Sequence, residues 1–144
     1  FNNYGPRQNY RGPLAGIIPM TAKRILNGKM PEIHGDGLQT RDFIFVSDTA
    51  DAVVKLYDKI GRGDAINIAA SNQISVEQIV KLISVKLHYK GKIIKNPGRV
   101  ADVTHHNGDS SKMRELIQFS MTKFDQGLSE TLEFYRREIG DLRL

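Results

Sequence analysis

The sequence predicts an α/β domain in which short strands are mixed with amphipathic helices. Three observations carry that expectation. Apolar residues recur at helical spacing in several separate stretches; short apolar or β-branched runs stand between them; and Gly, Pro, Asn or Asp punctuate the junctions. At 144 residues the chain suits one domain and is long enough to bury roughly 70% of its unfolded surface.

Taken in order, Phe1 to Pro6 reads as a strand end running into a turn. Pro19 to Leu26 reads as a helix with Pro in its first turn and Gly28 placed to end it. Glu32-Ile33-His34 is a short strand closed by Gly35-Asp36-Gly37, a turn that needs positive φ, and Asp42 to Val46 is the next strand. Ser47 or Asp48 is expected to cap a helix over Thr49 to Ile60, whose Ala52, Val53, Leu56 and Ile60 should face a sheet. Ala65 to Ala70 reads as a small-residue strand. Ser75-Val76-Glu77-Gln78 is a capping box that opens a helix lined by Ile79, Val80, Leu82, Ile83 and Leu87. Gly91 to Lys95 is a further strand, broken by Pro97-Gly98, and Arg99 to Asp109 is polar and irregular. Helices over Ser110 to Ile117 and Asp125 to Ile139 follow, the second with Leu128, Leu132, Tyr135 and Ile139 on one face and Gly140 as its stop.

The formal charge of +5 and a pI near 9.5 favour anionic partners. Lys and Arg are spread along the chain instead of gathered in a run, which weighs against a nucleic-acid surface. With no Cys there is no disulfide framework, thiolate nucleophile or Cys-based zinc site, as befits an intracellular enzyme. His105 and His106 are adjacent and so diverge, with no third ligand at suitable spacing, and no metal is expected. No apolar run reaches the roughly 18 to 20 residues of a membrane span and no signal-peptide pattern opens the chain, so the expectation is a soluble, cytoplasmic protein. The first residue is Phe rather than Met, and the chain reads as a fragment or trimmed piece.

Several segments, in this order and with these gaps, resemble the C-terminal part of extended short-chain dehydrogenase/reductase enzymes that act on nucleotide-diphosphate sugars. They are Phe1-Asn2-Asn3-Tyr4-Gly5-Pro6-Arg7-Gln8, Gly16-Ile17-Ile18-Pro19, His34-Gly35-Asp36-Gly37-Leu38-Gln39-Thr40-Arg41-Asp42-Phe43-Ile44-Phe45-Val46-Ser47-Asp48, and Asn67-Ile68-Ala69. The tail from Lys123 to Arg136 is similar to the family's closing helix. Gln8 followed by Gly12 to Pro19 looks most like the UDP-sugar 4-epimerases, whereas Asn2 to Pro6 is also similar to the dTDP-glucose 4,6-dehydratases.

The resemblance implies that residues 1–144 are the substrate-binding part of an extended Rossmann-fold enzyme, with the NAD-binding Rossmann part upstream. A sugar nucleotide carries a diphosphate, whose oxygens a guanidinium fork binds bidentately. By resemblance Arg41 reaches those phosphates, and Arg99 with Asp102 matches the family's Arg-x-x-Asp pair, Asp102 orienting Arg99 or accepting a ribose hydroxyl. The family's usual Arg-Pro-Gly-Asp is Arg99-Val100-Ala101-Asp102 here, which removes a rigid turn. Asn2 is expected to touch the phosphate or sugar. Gly16, Ile17 and Ile18 flank the base, His34 stands where the family often has Tyr or Asn beside the base, and Phe1 borders the nicotinamide.

In the intact enzyme the resemblance implies tightly held NAD, hydride removal from C4 of the hexose, and a homodimer. The Gly-rich dinucleotide cradle and the Tyr-x-x-x-Lys pair do not occur in this sequence, so no catalytic residue is assigned. The chain alone is expected to be inactive. A non-catalytic binding or regulatory module of the same fold is the alternative, decided by whether the upstream sequence carries both motifs.

Overall fold

The computed structural model describes residues 2–12, 15–98 and 103–140. The central strand is β3 (Thr40–Phe45), a β-branched and aromatic run whose last four residues are buried. On one side β1 (Asn2–Tyr4) lies parallel to it, Asn2 opposite Phe43 and Tyr4 opposite Phe45. On the other side β4 (Gln73–Ser75) runs antiparallel, Arg41 opposite Ile74. A separate parallel pair joins β2 (Glu32–His34) to β5 (Ile94–Asn96). Parallel neighbours need a crossover, and α1 (Ile17–Leu26) lies in the connection between β1 and β3.

Helices α3 (Val76–Lys86) and α5 (Phe124–Gly140) join α1 over the main core. That core holds Ile18, Ala22 and Ile25 of α1, Ile79 and Ile83 of α3, and Leu128, Leu132, Tyr135 and Ile139 of α5. Its floor is aromatic. Tyr4 packs on Phe45 with ring centroids 5.5 Å apart and on Phe124 at 5.0 Å. Gly127 makes that approach possible, because a Cβ there would fall 2.5 Å from Tyr4 Oη and 2.8 Å from Phe45 Cδ2. A smaller cluster joins Ala52 and Leu56 of α2 (Val46–Leu56) to Met113 of α4 (Ser111–Leu116) and Ile117.

The capping box is as predicted: Ser75 Oγ accepts from Gln78 N, and Gln78 Oε1 accepts from Ser75 N. The turn glycines Gly35 and Gly37 have φ of +79° and +84°, and Gly28, just past the end of α1, has +68°. The predicted face of α5 is buried throughout.

Other expectations need correction. Ala65 to Ala70 forms no strand. Its end is held by side-chain chemistry instead, since the buried Asp42 carboxylate accepts the N–H groups of Ala70 at 3.1 Å and Ser71 at 3.0 Å. Helix α2 begins at Val46, three residues earlier than predicted, so Ser47 and Asp48 lie inside it and do not cap it. Asp48 is used elsewhere, accepting from Thr122 N and Thr122 Oγ1, both at 2.8 Å. Val53 and Ile60, predicted to face a sheet, are exposed, whereas Ala52 and Leu56 are buried. The strand predicted at Gly91 to Lys95 is displaced to Ile94–Asn96, where it gains its β2 partner.

Candidate functional site

A cleft of about 480 Å³ opens where β1, α1, β2 and β3 meet. That volume suits a small organic ligand. Asn2, Gly16, Ile17, Ile18, His34 and Arg41, separated by up to 39 positions in sequence, all line it. Phe1, Arg99 and Asp102 lie outside the described residues.

One wall is the start of α1. Gly16 is its N-cap and makes no side-chain cap, and Pro19 carries no N–H, so the first-turn donors are the N–H groups of Ile17 and Ile18 at the cleft wall. The helix then presents Met20, Thr21 and Arg24 to the same space at helical spacing. Another part of the lining is His34 at the end of β2 and Gln39, on either side of the turn that follows β2. Gln39 Nε2 donates to His34 O at 2.7 Å and Asp36 Oδ1 accepts from Leu38 N at 2.8 Å. Gly37 seats this turn against α3, where its carbonyl accepts from Glu77 N at 2.9 Å and a Cβ would stand 3.0 Å from Glu77 Cβ. These bonds hold His34 at the cleft as a half-buried side chain.

Arg41 brings positive charge to the cleft and also ties down a neighbouring segment. Its Nη1 donates to Thr40 O at 2.8 Å and to Val103 O at 2.6 Å. The segment from Val103 onward is strapped along β3 by further bonds. Thr40 N donates to Thr104 O at 2.9 Å, His106 N donates to Thr40 O at 3.1 Å, and Gly108 N donates to Asp42 Oδ2 at 2.9 Å. Ser71, held at φ +54°, completes the strap by donating from Oγ to Gly108 O at 2.8 Å, a bond that helps offset its strained backbone.

Sequence reasoning named some of the cleft's chemistry and missed the rest. Arg24 and Glu32 form an ion pair at 2.6 Å within the lining, and Arg24 Nε donates to Met30 O at 2.6 Å. The pair spans the end of α1 and the start of β2, a distance for which no helical or strand periodicity gives a signal. Gln8 lines the cleft with a buried Oε1 that has no hydrogen-bond partner among the described residues, while its Nε2 donates to Asn3 O at 3.2 Å. An acceptor so placed is suited to a ligand donor. Thr21 Oγ1 is in the same condition, and its place on the α1 face shared with Ile17 and Arg24 was the signal available. Among the described residues no group of three His, Asp or Glu side chains is placed to hold a metal ion, and no helix is long and apolar enough to cross a membrane.

Residues 1–69 match the model of the NAD-dependent epimerase/dehydratase family. The chain is 33% identical over 143 residues to a UDP-N-acetyl-alpha-D-glucosaminuronate decarboxylase of Bacillus cytotoxicus, covering 94% of this chain and 44% of that protein. The fold superposes on a UDP-glucose 4-epimerase of Thermotoga maritima, solved with UDP-glucose, with a TM-score of 0.88 at 30% identity, covering 96% of this chain and 44% of that one. It also superposes on a dTDP-glucose 4,6-dehydratase of Bacillus anthracis, solved with NAD, with a TM-score of 0.83 at 29% identity, covering 94% and 42% respectively. The chain thus spans less than half the length of these relatives, and it matches their C-terminal portion. Their names mix nucleotide-sugar epimerases with dehydratases and other activities on such sugars.

Proposed function

Because this chain belongs to the NAD-dependent epimerase/dehydratase family, we propose that its cleft holds a nucleotide-diphosphate sugar, as the substrate-binding C-terminal part of an NAD-dependent epimerase acting on a UDP-hexose at C4. The observation that carries the reading is the convergence of Asn2, Gly16, Ile17, Ile18, His34 and Arg41 on one cleft. The solved relative that holds UDP-glucose supports the choice of base and sugar class.

Each wall then has a part. Arg41 faces the diphosphate, where a guanidinium in a partly enclosed cleft gives a directional, charge-assisted contact. The backbone at Gly16, Ile17 and Ile18 lies along the base, and the His34 imidazole packs on or hydrogen-bonds to it. Bound NAD would take a hydride from C4 of the hexose. Among the described residues none forms a Gly-rich strand-to-helix loop for a dinucleotide, and Phe1 lies outside them. This chain's own residues bind and orient the sugar nucleotide, and none is assigned to proton transfer.

A dTDP-glucose 4,6-dehydratase is the second reading, favoured by the superposition on such an enzyme. Calorimetric titration of UDP, dTDP, GDP and their glucose conjugates separates the two. The expected result is preferential binding of the UDP ligands, weakened roughly tenfold to a hundredfold in Arg41→Ala, the loss of a hydrogen bond to a charged group. Preference for dTDP transfers the reading to the dehydratase, and no binding of any of them to the folded chain overturns it.

A further inference from the structure

We propose that His106 is a positioning residue that determines which atom of Asn2 a nucleotide sugar meets; the ligand in this statement rests on the function proposed above. Asn2 Nδ2 donates to the main-chain carbonyl of Asp42 at 3.1 Å and lies 3.2 Å from Nδ1 of His106. A carbonyl oxygen only accepts, so the amide nitrogen and not the amide oxygen must face it. The same nitrogen then reaches His106 as a donor. It follows that His106 Nδ1 is the acceptor, unprotonated, with the imidazole proton on Nε2.

Both amide hydrogens of Asn2 are thereby committed, one to Asp42 O and one to His106. Asn2 lines the cleft, and among the described residues Oδ1 is the side-chain polar atom left to meet a ligand. An oxygen acceptor repels phosphate oxygens and accepts from hydroxyl groups. Asn2 therefore reads a hydroxyl of the bound sugar or ribose, and the diphosphate is left to Arg41. His106 holds this arrangement because its own backbone is fixed. Its N–H donates to Thr40 O at 3.1 Å, and its neighbour His105 forms a parallel bridge with Thr40. The nearby Asp42 carboxylate is occupied by the N–H groups of Ala70, Ser71 and Gly108.

Nitrogen-15 NMR of the histidine rings at roughly pH 8, where an ordinary imidazole is neutral, reads the tautomer without any ligand. The expected result is His106 with its proton on Nε2, and a proton on Nδ1 overturns the proposal. Titrations with inorganic pyrophosphate and UDP-glucose test the consequence. Asn2→Leu is expected to weaken UDP-glucose roughly fivefold to thirtyfold while leaving pyrophosphate within about twofold. Equal loss for both ligands overturns the hydroxyl assignment. His106→Ala returns one amide hydrogen to Asn2 and is expected to tighten pyrophosphate roughly threefold to tenfold; an unchanged pyrophosphate affinity shows that His106 withholds nothing. Should the unmodified chain bind neither ligand, the function proposed for the cleft falls with the hydroxyl assignment, while the tautomer still decides the positioning of Asn2.

Discussion

Helices α1 and α2 are similar in length, and each carries apolar residues at helical spacing, yet they are used in opposite ways. α1 buries Ile18, Ala22 and Ile25 in the main core and turns Met20, Thr21 and Arg24 to the cleft, so both of its faces have work. α2 buries Ala52 and Leu56, while Val46, Val53 and, just past its end, Tyr57 fall on a second face that stays exposed, Tyr57 at 80%. The contrast teaches that periodicity finds a helix but does not say which of two apolar stripes is covered. Covering is decided by what the rest of the chain brings to each face.

The largest effect is expected where buried polar groups hold the cleft side together. Asp42→Ala would leave the N–H groups of Ala70, Ser71 and Gly108 without their acceptor and release the strap along β3. The Gly108 bond is buried and the other two are partly buried, and for the loss of three hydrogen bonds to one carboxylate a cost of roughly 3 to 5 kcal/mol is expected in urea unfolding. Asp42→Asn keeps the shape and one acceptor oxygen and should lose less. A cost below about 1 kcal/mol for the alanine variant would mean that these bonds do not organise that side.

Next comes the buried face of α2 itself. Leu56→Ala removes a side chain that is 3% exposed, and a loss of roughly 2 to 4 kcal/mol is expected by the same measurement. This variant sharpens the comparison, because it shows whether the small cluster with Met113 and Ile117 is as tightly packed as the core beneath α1.

Local signals made much of the fold legible. The capping box at Ser75, the glycines at positions 35 and 37, and the continuous apolar face of α5 each reside in a few neighbouring residues, and each was found where predicted. The failures were non-local. Asp42 was read only as a strand residue, because its donors lie 28, 29 and 66 positions away. Ala65 to Ala70 has strand composition, but a side-chain carboxylate at its end takes the bonds that a neighbouring strand would have supplied. At the cleft, family-like motifs located the walls formed by Gly16 to Ile18, His34 and Arg41. The ion pair of Arg24 with Glu32 and the unpartnered Oε1 of Gln8 depend on how those walls meet, which no motif records.

A smaller and pH-dependent effect belongs to the core beneath α1 and α5. Burial pushes the phenols of Tyr4 and Tyr135 well above the ordinary tyrosine value, desolvation being the main cause, with carboxylates of Asp48, Glu130 and Asp125 adding for Tyr4 and Tyr10 adding for Tyr135. Below roughly pH 10 the phenols are neutral in both states and stability is unaffected. Above it the unfolded chain loses protons that the folded chain keeps, so stability falls with rising pH, by up to about 1.4 kcal/mol per unit for each tyrosine. Tyr4→Phe with Tyr135→Phe should flatten that alkaline decline, although it also removes the hydrogen bonds to Phe124 O and Gln8 O and so costs stability at neutral pH. An equally steep decline in the double variant would assign it to other groups.

The smallest effect is expected on the outer face of α2. Val53 is 53% exposed, and lysine at position 53 would project into solvent without displacing a neighbour. Val53→Lys and Tyr57→Lys should each change unfolding free energy by no more than about 0.5 kcal/mol, the range of ordinary surface substitutions. Lysine is also the better helix former than valine, which offsets part of any lost contact at position 53. A loss above about 1 kcal/mol would mean that this stripe is covered in solution, and the contrast between α1 and α2 would then lie in which part of the protein does the covering and not in whether a face is covered at all.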